Sequence, residues 1–424
     1  MSGSLAGSPN LTEAGVLSRR LYIVSLTIAL GACLNVPEYF NELLGFPLPQ
    51  TGYFLPYLAP FSFIFTLAVL RLRYSQMPVC VPFGRLDVGL IAVLGLWLGQ
   101  ELFWSVTDGT PFNMNAILPL SWSYFFYLVL RIHQQDSGFH SIAATALIFI
   151  VGTLSVFHLA LHAVVLFQQA SGTRFSNFVR SNNGLSYIAL LAVTARMFLY
   201  APTASHRTNH ACNLFTAASL AVIMMNATRG AMALLVLLAL LRVLFMESAR
   251  LRIVVLGVVS LGVVGFVSLQ HELVLRFIQD NFLLGISGNV YLSDSEVAVL
   301  PRSSGSTYTR NMANALLFER FQESMVWGMG QTAAESVTVV STGSHTLPLV
   351  VLAAYGIAGS TPFLILLGHA LLTGLRRCRR VALPLGLLLA GTTIFNSDIK
   401  LWYAFAVSAM LFPPPSRNAL HDGE

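Results

Sequence analysis

Charge is scarce in this chain of 424 residues: 10% are charged, against roughly 25% in a soluble globular domain. Hydrophobic residues make up 55% and the mean hydropathy is +0.70, a balance that argues against a water-soluble fold. Lysine is nearly absent, with Lys400 alone beside 23 arginines. Arginine offers a planar fork of donors where lysine offers a point charge, so phosphate becomes a plausible partner. A GC-rich genome produces the same bias, and position has to decide between the two readings. Cys33, Cys80, Cys212 and Cys378 form no CxxC pair, so no disulfide framework is expected. No Walker sequence, HExxH or G-x-S-x-G occurs, which weighs against ATP coupling, zinc proteolysis and serine hydrolysis. The loop bearing Glu38 and Glu42 lacks the paired aspartates that would hold a divalent ion, so no metal and no other cofactor is expected. Nothing in the sequence points to nucleic acid.

Long apolar runs dominate what is present. Stretches of about 17 to 25 apolar residues can cross the hydrocarbon core as helices. They recur near 20–37, 53–70, 86–105, 113–130, 141–167, 184–200, 211–228, 230–247, 253–270, 356–375, 381–396 and 400–413. The expected fold is therefore all-α, a polytopic transmembrane helical bundle of about 12 spans. Three parts follow: spans one to nine over 1–270, a long loop with a re-entry segment over 271–355, and the last three spans with the C-terminus over 356–424. Arg19, Arg20, Arg71, Arg73, Arg85, Arg131, Arg207, Arg250, Arg252 and the group 376–380 fall on one alternating set of short loops. By the positive-inside rule that set is cytoplasmic, as are both termini. The 18 polar residues before the first span precede no small-residue cleavage site, so that helix is read as uncleaved.

The arginines on the other side then need a reason; three stretches gather most of them and a fourth carries a histidine. The first is 174–183, RFSNFVRSNN, where Arg174, Arg180, Asn182 and Asn183 can hold a diphosphate or a sugar; interfacial anchoring competes as an explanation for Arg174. The second is 226–230, NATRG, where Gly230 lets the chain turn and Arg229 keeps its fork free for phosphate or for lipid headgroups. The third lies in the hydrophilic stretch 271–344, long enough to suggest function. Its residues 306–325 read as an amphipathic helix with a stripe of Tyr308, Met312, Ala315, Leu316 and Phe321, while 285–305 read as coil. Arg302, Arg310 and Arg320 lie here, before Gly328-Met329-Gly330. The fourth is Gly343-Ser344-His345-Thr346, leading to Tyr355-Gly356-Ile357-Ala358-Gly359. A neutral His345 at the mouth of a span can take a proton from a sugar hydroxyl or orient it, although a lone histidine is more often structural. Within the spans, His158 and His162 stand four apart with no acidic partner, which favours hydrogen bonding inside the bundle over a metal site. Glu101 is an intramembrane carboxylate and thus a functional candidate.

Taken in order, these stretches over about 170–375 resemble the O-antigen ligase and polymerase superfamily of bacterial membrane glycosyltransferases. The family's histidine motif commonly continues with Asn, where Thr346 stands here. The resemblance implies transfer of a glycan from undecaprenyl diphosphate at the periplasmic face of the bacterial inner membrane. It maps roles onto Arg229, Arg310 and His345, with the 174–183 loop, Arg302 and Arg320 as further substrate-binding candidates. The ligase of this superfamily uses lipid A core oligosaccharide as acceptor, and the polymerase a second carrier-linked repeat unit. The single long outer loop favours the ligase. A flippase for the same lipid-linked sugar is the alternative of a different class.

Overall fold

A computed structural model describes residues 10–34, 36, 55–73, 83–109, 112, 114–134, 139–169, 182–200, 205–226, 229–245, 302–330, 334, 347–395 and 402–411. Within them every regular element is helical. Every expected span coincides with a helix except 253–270, which lies outside the described residues. In chain order they are α1 (Asn10–Cys33), α2 (Leu55–Arg73), α3 (Arg85–Thr107), α4 (Met114–His133), α5 (Phe139–Gln169), α6 (Asn182–Thr194), α7 (His206–Met225) and α8 (Arg229–Leu244). Then come α9 (Arg302–Glu323), α10 (Leu347–Arg377), α11 (Arg379–Phe395) and α12 (Tyr403–Leu411). Among the described residues three stretches are long and apolar enough to cross a membrane: Arg85–Thr107, Phe139–Ala163 and Leu347–Arg377. A bundle solvated by lipid can leave large apolar side chains outside, as it does at Ile64, Phe103 and Ile365, whereas its polar groups must pair internally.

Side-chain hydrogen bonds cross between helices at several points. At the arginine-rich end, the Tyr22 hydroxyl of α1 donates to the His133 carbonyl of α4 at 2.9 Å, and Ser25 lies 3.1 Å from His133 Nε2. The Gln134 amide donates to the Ser408 carbonyl at 2.9 Å. Arg377 bonds the Leu411 carbonyl. Also at this end Arg131 of α4 forms a 2.6 Å ion pair with Asp87 of α3. The sequence places Arg131 with the loop arginines; the structure instead buries it in the last turn of α4, because Asp87 neutralises it.

Three further expectations are revised. The coil expected over 285–305 gives way at Arg302, where α9 begins; residues 285–301 lie outside the described residues. Over 313–323 of α9, where side chains are described, Ala313 and Leu317 are fully buried while Leu316 and Phe321 are partly covered, so there the inward stripe is rotated by about one position from the expected one. The tenth span begins at Leu347 rather than at 356, and Gly356 instead marks a break inside it.

Candidate functional site

The break in α10 is where two of the sequence motifs meet. In an unbroken helix the amides of Ile357 and Ala358 would donate to the carbonyls of Ala353 and Ala354. Here Ile357 N donates to Met325 O at 2.8 Å and Ala358 N to Val326 O at 3.0 Å. The freed carbonyls are taken up in turn: Met329 N donates to Ala353 O and Gly330 N to Ala354 O, both at 2.9 Å. Segment 325–330, which follows α9, is thus spliced into α10, and two helical hydrogen bonds become four between segments. Glycine permits this at three points. Gly328, Gly330 and Gly356 have φ of 72°, 78° and 60°, the left-handed region that glycine enters without steric cost. A methyl group on Gly356 would lie 2.3 Å from Val326 O, and one on Gly328 2.3 Å from Ala354 O.

Helix α3 seals the splice. Its buried residues Val93, Trp97, Gln100 and Glu101 follow helical spacing along one face. Gln100 Nε2 donates to Tyr355 O at 3.1 Å and to Trp327 O at 3.2 Å. The Trp97 indole donates to Gly359 O at 3.0 Å and stacks on Tyr355, with ring centroids 4.2 Å apart and planes 6° from parallel. Ser360 Oγ donates to Val351 O at 2.9 Å, satisfying another carbonyl before the break.

A second polar cluster joins α5, α6 and α7. His158 Nε2 lies 3.3 Å from Asn226 Oδ1, and Asn226 Nδ2 donates to Ser186 Oγ at 3.1 Å. His162 packs against His158, with ring centroids 4.5 Å apart. His158 therefore takes part in a hydrogen-bond network inside the bundle, with His162 packed against its ring. Asn226 caps α7, Arg229 opens α8 three residues later, and Asn182 and Asn183 open α6, which carries Ser186 in its first two turns. Asn226 thus ties the NATRG turn to the helix that the 174–183 stretch leads into.

Of the other expected site residues, Arg310 lies within α9 and Arg302 opens it. Arg320, in the last turn of α9, pairs with Glu323 at 3.0 Å, both side chains about half exposed. Arg174, Arg180 and His345 lie outside the described residues. Glu101 is buried beside Gln100. Gln100, Trp97 and Ser186 were not among the residues expected from sequence. The stripe at 93, 97, 100 and 101 was the available signal for the first two; Ser186 carries none.

A narrow cleft opens between α3, α4, α10 and α12, lined by Leu86, Leu90, Tyr124, Tyr127, Leu366 and Tyr403 among others. Its walls are almost wholly apolar, the wrong chemistry for a sugar, and its position on α3 and α4 is toward the arginine-rich end. No protein-family model matches the chain, and no curated protein is significantly similar to it. The likeness to O-antigen ligases and polymerases therefore rests on the ordered set of residues alone.

Proposed function

We propose that the chain is a membrane glycosyltransferase of the O-antigen ligase kind, moving a glycan from undecaprenyl diphosphate to lipid A core oligosaccharide at the periplasmic face. The observation that supports it most is the tie made by Asn226. It bonds the end of α7, three residues before Arg229 opens α8, to Ser186, four residues after Asn182 opens α6. Helices α6 and α8 both begin within a few residues of that bond, and the first amides of a helix lack intrahelical partners and carry a partial positive charge that favours an anion. A leaving diphosphate suits that environment.

In the proposed step an acceptor hydroxyl oxygen attacks the anomeric carbon and forms the new glycosidic bond. The bond to the diphosphate breaks and its electron pair departs with the leaving group, inverting the anomeric centre. His345 takes the hydroxyl proton, and the forks of Arg229 and Arg310 hold the charge that builds on the diphosphate. Transport is the weaker reading. In alternating-access carriers a broken helix leaves its ends open to the cargo, whereas in α10 the freed amides and carbonyls are consumed by 325–330.

The test is transfer in detergent by Arg229→Lys, Arg310→Lys and His345→Ala. Lysine keeps the charge and loses the two-pronged geometry, so a headgroup anchor tolerates the change and a diphosphate clamp does not. Each variant is expected to lose about 10²–10³-fold in kcat, by analogy with loss of one oxyanion donor, while inserting normally. Near wild-type transfer in all three sinks the reading. Donor supplied without lipid A core decides the acceptor: carrier-linked elongation would make the protein a polymerase.

A further inference from the structure

We propose that Gln100 is a positioning residue, fixing where α9 and its Arg310 stand relative to α10. The functional consequence rests on the transferase reading above; the structural part does not. Segment 325–330 leads directly from α9 into the break of α10, so whatever holds that segment also sets the place of α9.

The break has a competitor built into its own backbone. If 325–330 withdrew, Ile357 and Ala358 could return to the carbonyls of Ala353 and Ala354, and α10 would become a continuous helix. Gly356 would leave its left-handed conformation at the same time. Side chains that bind only the spliced state must therefore tip the balance, and Gln100 bonds both partners at once. Its amide spans Tyr355 O, on the α10 side, and Trp327 O, on the inserted segment. Gly359 makes room for it, since a methyl group there would lie 2.6 Å from Gln100 Oε1. Oε1 is buried and accepts no hydrogen bond among the described residues. Gln100→Leu, close in size, therefore removes the two donated bonds and little else. Trp97 reaches only the α10 side, at Gly359 O and the Tyr355 ring, and cannot make the same bridge.

The full-length protein is spin-labelled at Phe318→Cys on α9 and Leu372→Cys on α10, both exposed positions, in a background without Cys80 and Cys378. Cys33 and Cys212 are buried. A single narrow distance distribution is expected for the parent and a broadened or shifted one for Gln100→Leu. Gly99→Ala on the same helix, which meets nothing within 4 Å, should keep the narrow one. An unchanged distribution in Gln100→Leu overturns the proposal. Hydrogen exchange on the unmodified chain tests it without any variant: the amides of Met329, Gly330, Ile357 and Ala358 should be as protected as the interior of α10, and fast exchange there also overturns it. Transfer is measured separately. A fall in kcat of about tenfold to a hundredfold, the size expected for a misplaced catalytic group, is expected with donor KM nearly unchanged. Disordered distances with normal kcat would remove the positioning role. No transfer by the parent protein would defeat the transferase reading while leaving the distance result intact.

Discussion

Helix α3 is fastened at its two ends by different chemistry. At the arginine-rich end the fastening is charge: Asp87, fully buried, meets Arg131 at 2.6 Å and also accepts the Gly84 amide at 2.6 Å. At the other end it is backbone: the α3 side chains Trp97 and Gln100 hold carbonyls of a spliced junction that contains no charge pair. A buried ion pair pays for desolvation with Coulomb attraction and depends on both partners being present. The junction depends on three residues having no side chain. The first end therefore tolerates replacement of both partners together, and the second tolerates no added atom.

The largest effect should come from testing that last point. Gly356→Ala places a methyl group 2.3 Å from Val326 O in a conformation (φ 60°, ψ −167°) that is essentially restricted to glycine and costs other residues about 1–3 kcal/mol before any clash. We expect a loss of about 3 kcal/mol or more, read as a marked drop in the detergent unfolding midpoint. Gly99→Ala on α3 should instead hold or raise the midpoint, since alanine favours a helix over glycine by roughly 0.5–1 kcal/mol. Equal behaviour of the two variants would mean that the spliced junction does not exist in solution.

Next in size is the ion pair. Asp87→Leu leaves the Arg131 charge buried without its carboxylate and should destabilise by about 3–5 kcal/mol, and Arg131→Met does the same to Asp87. The double variant should recover most of the loss, because two apolar side chains no longer need each other. Additive single losses in the cycle would show that the two charges are not coupled.

The sequence and the fold part company in the same way as these two ends. Helix positions were legible because apolar length and loop arginines both mark them, and α3, α5 and α8 begin within two or three residues of where the apolar pattern puts them. The motifs 328–330 and 355–359 were legible as glycine-bearing turns, yet nothing in either says that one is threaded into the other. That depends on main-chain groups, which every sequence carries alike. Gln100 shared a buried stripe with Trp97 and Glu101, but its partners are carbonyls and leave no trace in residue type. Asp87 was invisible for a related reason: the loop-arginine count treats Arg131 as solvated, and only packing reveals that a carboxylate on the neighbouring helix neutralises it.

The smallest effect separates burial from charge most cleanly. Arg320 and Glu323 form an ion pair of the same kind as Arg131 and Asp87, at 3.0 Å, but their side chains are 49% and 52% exposed. Water screens the pair and both side chains lose rotamer freedom to make it, so such pairs contribute about 0–1 kcal/mol. Arg320→Ala should therefore leave stability within about 0.5 kcal/mol, the range of ordinary surface substitutions. Its effect on transfer is the informative part. If Arg320 only decorates the outer face of α9, transfer stays within about twofold, the same 0.5 kcal/mol expressed as a rate. If it also grips the donor, KM for the carrier-linked glycan rises at unchanged stability, and Arg320→Lys, which keeps charge without the fork, falls between the two. A stability loss as large as that of Asp87→Leu would mean that the exposed face of α9 is covered in the membrane, and would overturn the contrast between a screened pair and a buried one.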